Sequence, residues 1–83
     1  MDTRDRVRTV FDDTLQLGGR TAAWEETTPL LGSLAELDSL TIFTVIAALE
    51  KEFAIAFDDG DINAEVLATL GSLTAFIDEK QAT

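Results

Sequence analysis

Apolar residues in this chain recur at helical spacing almost throughout, and no segment shows a convincing period of two. That restricts the fold to packed helices. Val7, Val10, Phe11 and Leu15 follow the i, i+3, i+4, i+8 rule for one buried stripe, which predicts a first helix over about residues 3–17. Asp2 with Arg6 and Asp5 with Arg8 are spaced to pair across a turn, and Gly18-Gly19 is expected to stop the helix. A second helix is expected over about 39–53 behind Asp38, a short acidic side chain at the natural N-cap. A short third helix is expected to follow Asp61, another N-cap candidate, and to run to about Leu67. A fourth begins near Thr69 or Ser72 and turns Leu70, Leu73, Phe76 and Ile77 inward.

Residues 19–38 form a long connection, and about 20 structureless residues are unusual in a compact domain. Pro29 and two glycine-containing breaks argue against one continuous helix there. Trp24, Leu30, Leu31, Leu34 and Leu37 are expected to tack this segment onto the core, with Trp24 in a half-buried packing role. Residues 1–83 thus read as a single all-α domain. Its expected form is a small four-helix bundle with a long loop between the first and second helices and a short third helix.

Composition narrows the function. The 83 residues carry 6 Lys and Arg against 16 Asp and Glu, a net charge of −10, with no His and no Cys. A disulfide framework and a cysteine metal site are impossible. The commonest general base is also missing. Such an acidic chain is not expected to bind nucleic acid or an anionic membrane, and favours basic partners. No uncharged stretch, Ser39 to Leu49 included, reaches the about 20 residues that cross a bilayer. Met1-Asp2-Thr3-Arg4 has no apolar run behind it, so no signal peptide is read and a cytoplasmic monomer is expected. The charge is uneven. Residues 1–20 balance to zero, whereas residues 36–65 hold eight acids against Lys51 alone, a balance of −7. This is either a solvated face or a docking surface for basic proteins.

The second helix carries two apolar strips. With Ser39 at zero and about 100° per residue, Ile42, Val45, Ile46, Leu49 and Phe53 fall on one arc. Leu40, Phe43 and Ala47 fall in the opposite half, where Ser39 points, flanked by Glu50 and Lys51. Either the long connection covers the second strip, or it is a contact surface ringed by acids. Ser39 has no histidine to activate it, so it is not read as a catalytic nucleophile. Asp38-Ser39 at a helix start is either a plain capping pair or a serine modified by a metal-dependent transferase. In the second case the free amides and positive helix end favour a phosphate ester, and Asp38 helps the incoming enzyme hold its metal. Asp58-Asp59-Gly60-Asp61 fails as a calcium loop, because its glycine would put Ile55 at the first ligand position. No metal site is assigned.

Asp38-Ser39-Leu40, Leu49-Glu50, Phe53-Ala54-Ile55, the acidic run Asp58-Asp59-Gly60-Asp61-Ile62, and Ala68-Thr69-Leu70 with Leu73 together resemble the acyl carrier protein family over about residues 5–80. The resemblance implies a carrier, not an enzyme. Ser39 would bear a phosphopantetheine arm, which supplies the thiol the chain lacks and carries acyl groups as thioesters in fatty acid or polyketide biosynthesis. It implies a recognition role for the second helix, mapping onto Asp38, Leu40, Phe43, Ala47 and Glu50. It implies an interior that shelters the acyl chain, with Ile46, Leu49, Ile62, Leu67 and Phe76 as lining. The implied partners are a phosphopantetheinyl transferase, an acyl-activating ligase, and acyl-transferring or condensing enzymes with basic patches. Glu36 stands where many members have glycine, Lys51 interrupts an often acidic run, and Phe43 is larger than the usual aliphatic residue. The run Thr28-Pro29-Leu30-Leu31-Gly32-Ser33-Leu34 is similar to stand-alone carriers of bacterial exosortase and exopolysaccharide systems. Two other readings stay open: a peptidyl carrier serving an amino-acid-activating ligase, and a cofactor-free acidic adaptor that binds a basic protein.

Overall fold

The computed structural model describes residues 2–30 and 39–82, without the side chain of Ser39. Three α-helices organise them: α1 (Thr3–Leu15), α2 (Ser39–Phe53) and α3 (Leu70–Ala82). Two short 3-10 helices stand between them, at Arg20–Ala23 and Asp59–Asp61. Among the described residues there is no strand, and an isolated antiparallel bridge joins Pro29 to Thr69. Helix α1 packs against both α2 and α3. The core joins Val7, Val10 and Phe11 of α1 to Val45, Ile46, Leu49 and Phe53 of α2 and to Leu70, Leu73 and Ile77 of α3. Leu30 of the long connection is buried among them, a contribution of roughly 1.5–3 kcal/mol for one fully buried leucine. Leu31, Leu34, Leu37 and Asp38 lie outside the described residues.

Helix α1 starts and stops on local chemistry. Asp2 is its N-cap and accepts the Asp5 N–H at 2.8 Å. The expected Asp2–Arg6 pair is therefore not the one formed. Arg6 turns instead to α2, where it donates to the Glu52 carboxylate at 3.2 Å and the Glu52 carbonyl at 2.9 Å. Its guanidinium also lies 4.3 Å from the centre of the Phe53 ring. Asp5 and Arg8 do pair. The helix closes earlier than expected, at Gln16 in the left-handed region (φ 53°), and the Leu17 N–H bonds back to the Asp12 carbonyl at 3.0 Å. Gly18 and Gly19, both with positive φ, reverse the chain after the helix has ended.

Side chains of α1 hold the first part of the long connection. The Asp12 carboxylate accepts from the Gly19 N–H at 3.0 Å and the Thr21 hydroxyl at 2.9 Å. Arg8 donates to the Trp24 carbonyl at 2.9 Å. Trp24 is half-buried, edge-on to Phe11 with ring centroids 5.5 Å apart. The chain then lays its backbone across the start of α3. The Leu70 N–H reaches the Thr28 carbonyl at 3.0 Å, Leu30 N–H reaches the Ala68 carbonyl at 3.0 Å, and Gly71 N–H reaches the Glu26 carbonyl at 2.8 Å. Gly71 is required for this approach, since a Cβ there would stand 2.8 Å from the Glu26 carbonyl oxygen.

The short third helix is not formed as expected. Asp61 is not its cap but the last residue of the 3-10 turn Asp59–Asp61, with its carboxylate turned back to the Asp58 N–H at 2.9 Å. One further turn follows, in which Asn63 accepts the Val66 N–H at 2.9 Å and the Leu67 N–H bonds to the Asn63 carbonyl at 3.1 Å. Residues 64–68 are all that separate Asn63 from Thr69, the cap of α3, and so short a run cannot offset the cost of nucleating a helix. The described residues therefore form a three-helix arrangement instead of the expected four-helix bundle.

Candidate functional site

Helix α2 has the expected bounds, Ser39–Phe53, because no glycine or proline interrupts its apolar periodicity. Val45, Ile46, Leu49 and Phe53 are buried and Ile42 is half-buried, as the inner arc requires. The helix ends at Ala54, which takes the left-handed conformation (φ 55°), and the Ile55 N–H closes onto the Glu50 carbonyl at 3.2 Å. This C-terminal end is held by neighbours: Arg6 occupies the Glu52 carbonyl, and Gln81 donates to the Phe53 carbonyl at 3.3 Å.

The outer arc is bare. Leu40 is 77% exposed, Phe43 is 58% exposed, and Ala47 is exposed on the same side. Among the described residues nothing of the connection covers this strip, and an apolar surface of this kind marks a contact site. Ser39 is the first residue of α2, directly before Leu40, so the strip begins at the serine. Asp38 and the Ser39 side chain are not among the described groups. Glu50, read in the sequence as part of the rim, is half-buried and accepts the Phe57 N–H at 2.7 Å. It ties the segment after α2 back onto the helix.

The residues named as acyl-chain lining come together. Ile46, Leu49 and Leu67 belong to the buried cluster, and Ile62 and Phe76 pack against it. Phe57 joins them, with its ring centroid 5.2 Å from that of Phe76. Sequence reading missed it because residues 54–58 show no convincing period and nothing of a partner 19 residues further on. Beside this cluster, Asp61 pairs with Lys80 at 3.1 Å. Its carboxyl is held below the ordinary aspartate value of 3.8, first by the Asp58 backbone N–H and then by Lys80. Asp58 and Asp59 are exposed, and among the described residues no group of three or more acids is placed to hold a metal ion.

A second serine, Ser72, lies in the first turn of α3, and its hydroxyl is committed. It donates toward the Val66 carbonyl at 2.8 Å and accepts the Thr69 N–H at 3.1 Å, while the Thr69 hydroxyl accepts the Ser72 N–H at 3.1 Å. This is a reciprocal cap. An ester at Ser72 would remove its hydroxyl hydrogen and with it the bond to the Val66 carbonyl.

Residues 5–77 match the family model for the phosphopantetheine attachment site. The chain belongs to the acyl carrier protein family. It is similar over its full length to the holo acyl carrier protein of Nitrosomonas europaea, solved in solution, at 38% identity, with both chains covered at 100% and a TM-score of 0.91. No curated protein sequence matches it significantly. As an acyl carrier protein the chain is not an enzyme; it bears a covalently attached phosphopantetheine and works with phosphopantetheinyl transferases and acyl-handling enzymes. Among the described residues no helix is long and apolar enough to cross a membrane.

Proposed function

We propose that Ser39 is the attachment point, and that this carrier presents acyl groups from there to partner enzymes that dock on the outer face of α2. The observation that carries this reading is the contrast in exposure at the start of α2: Leu40, next to Ser39, is 77% exposed, whereas the inner face is buried. A transferase can approach a helix end of this kind, and the positive end of the helix dipole favours the phosphate of the arm. The arm supplies the thiol that carries the acyl group. Asp38 assists the modifying enzyme. Leu40, Phe43 and Ala47 form the apolar part of the docking face. Glu50 contributes through the segment it holds, since its carboxylate is already engaged with Phe57. The packed set Ile46, Leu49, Ile62, Leu67 and Phe76 lines the acyl chain.

The partners on this reading are a phosphopantetheinyl transferase, an acyl-activating ligase, and transferring or condensing enzymes whose basic patches match the net charge of −10. The chain acts as a cytoplasmic monomer, and its cargo belongs to fatty acid or polyketide synthesis. Intact-mass analysis after incubation with coenzyme A, Mg²⁺ and a broad-specificity transferase tests the attachment. The wild type gains one phosphopantetheine and Ser39→Ala gains none. An undiminished gain in Ser39→Ala overturns the assignment. No gain in either, with binding to a basic partner retained, favours the cofactor-free adaptor.

A further inference from the structure

Phe76, one of the residues proposed to line the acyl chain, is paired with a second aromatic ring. Phe57, just after α2, and Phe76, on α3, lie with centroids 5.2 Å apart and planes tilted by 40°. Both are half-buried and packed against the core. Each is fixed from outside. The Phe57 N–H is held by the Glu50 carboxylate at 2.7 Å. Lys80 sits 5.5 Å from the centre of the Phe76 ring and is itself anchored by Asp61 at 3.1 Å. Beside Phe76 a surface depression of about 300 Å³ opens to solvent, its other lining residues being Asp61, Glu79 and Lys80. The ring therefore stands between an apolar cluster and a charged, wet surface. Glu50 marks the level of the pair along α2, about 16 Å from Ser39 at 1.5 Å per residue.

We propose that the Phe57–Phe76 pair is the floor of the acyl-chain interior and sets the longest chain this carrier shelters. The proposal rests on the reading that Ser39 carries the arm and that Ile46, Leu49, Ile62, Leu67 and Phe76 line the chain. Each methylene taken out of water above the floor is favourable. A chain long enough to pass it must push the paired rings apart and then emerge beside the charged groups of Asp61, Glu79 and Lys80, in a depression open to solvent. Phe57 is the specificity-determining residue of the pair, because it stands on an irregular segment fixed by one carboxylate, whereas Phe76 belongs to a helix.

The test uses the full chain loaded at Ser39 from acyl-coenzyme A, with butanoyl, octanoyl, dodecanoyl and hexadecanoyl chains. The melting temperature of each acylated form is compared with that of the thiol form of the same variant, so that stability lost through the substitution itself cancels. In the wild type the difference rises with chain length and then stops rising. In Phe57→Val the rise continues to a longer chain, and in Phe57→Trp it stops at a shorter one; Phe57→Leu provides the milder cavity should the valine variant fold poorly. A rise that stops at the same length in every variant overturns the floor and leaves the lining intact. No rise for any chain in any variant overturns the lining, and the floor with it. Failure of Ser39 to accept any acyl arm overturns the attachment reading on which both depend.

Discussion

The starts of α2 and α3 are opposites. At α3 every amide of the first turn is consumed: Leu70 and Gly71 donate to the Thr28 and Glu26 carbonyls, Ser72 to the Thr69 hydroxyl, and Leu73 to the Thr69 carbonyl. Leu70 is fully buried beneath the covering chain. At α2 the second residue, Leu40, stands 77% in solvent, and Phe43 and Ala47 continue the bare face. Ser39 and Ser72 both stand near helix starts, and among the described residues the face that begins at Leu40 of α2 is exposed. A helix N-terminus is a donor-rich site whatever its sequence. Covering chain decides whether it serves the fold or remains available for chemistry.

That comparison can be broken at its covered side first. Gly71→Ala places a methyl carbon 2.8 Å from the Glu26 carbonyl oxygen. It should lift the connection off α3 and cost about 2 kcal/mol in chemical denaturation. In a chain this short the whole net stability is only about 3–5 kcal/mol, so the loss is a large fraction of it. An unchanged midpoint would show that the connection does not need this close approach.

Ser72→Ala removes the reciprocal cap of α3 and should cost about 1 kcal/mol, while phosphopantetheine transfer proceeds as in the wild type. A variant that keeps its stability but loses modification would reverse the roles given to the two serines. Ala54→Gly relieves a left-handed alanine at the end of α2 (φ 55°) and should raise stability by about 0.5–1 kcal/mol, again without changing modification.

The smallest effect is in acid. Asp12 roots the connection through the Gly19 and Thr21 donors and is held below the ordinary value of 3.8, the Gly19 backbone N–H being the first cause; Asp61 is lowered likewise by the Asp58 N–H and Lys80. A carboxyl whose pKa is lower folded than unfolded adds stability that is full above the unfolded value and disappears as pH falls through the folded one. Asp12→Asn and Asp61→Asn should therefore show less loss of melting temperature than wild type between about pH 4 and pH 2. Equal acid limbs in all three proteins would remove these two carboxyls from the account.

Helix α2 and its two faces were legible in the sequence because both follow from one local period: Ile46, Leu49 and Phe53 went inside, and Leu40, Phe43 and Ala47 outside. What was not legible depends on partners distant in the chain. Arg6 has an acid four residues before it but gains more from Glu52, which offers a carboxylate, a helix-end carbonyl and the adjacent Phe53 ring. Glu50 looks like a rim acid by position, yet the Phe57 N–H lies within its reach and takes its carboxylate. Gly71 reads as a weak spot in a helix until Glu26 is seen against it. The short third helix was inferred from Asp61 as a cap, and Asp61 is instead engaged with Asp58 and Lys80.

The central claim is that the bare helix start, and not the covered one, holds the arm. Trypsin separates the two serines cleanly, since Arg20 and Lys51 bound a fragment containing Ser39, and Lys51 and Lys80 bound one containing Ser72. Fragmentation mass spectrometry of the modified protein should place the phosphopantetheine on the peptide of residues 21–51, with the ion series assigning it to Ser39. Finding it on Ser33 of the same peptide, or on residues 52–80, would contradict the account.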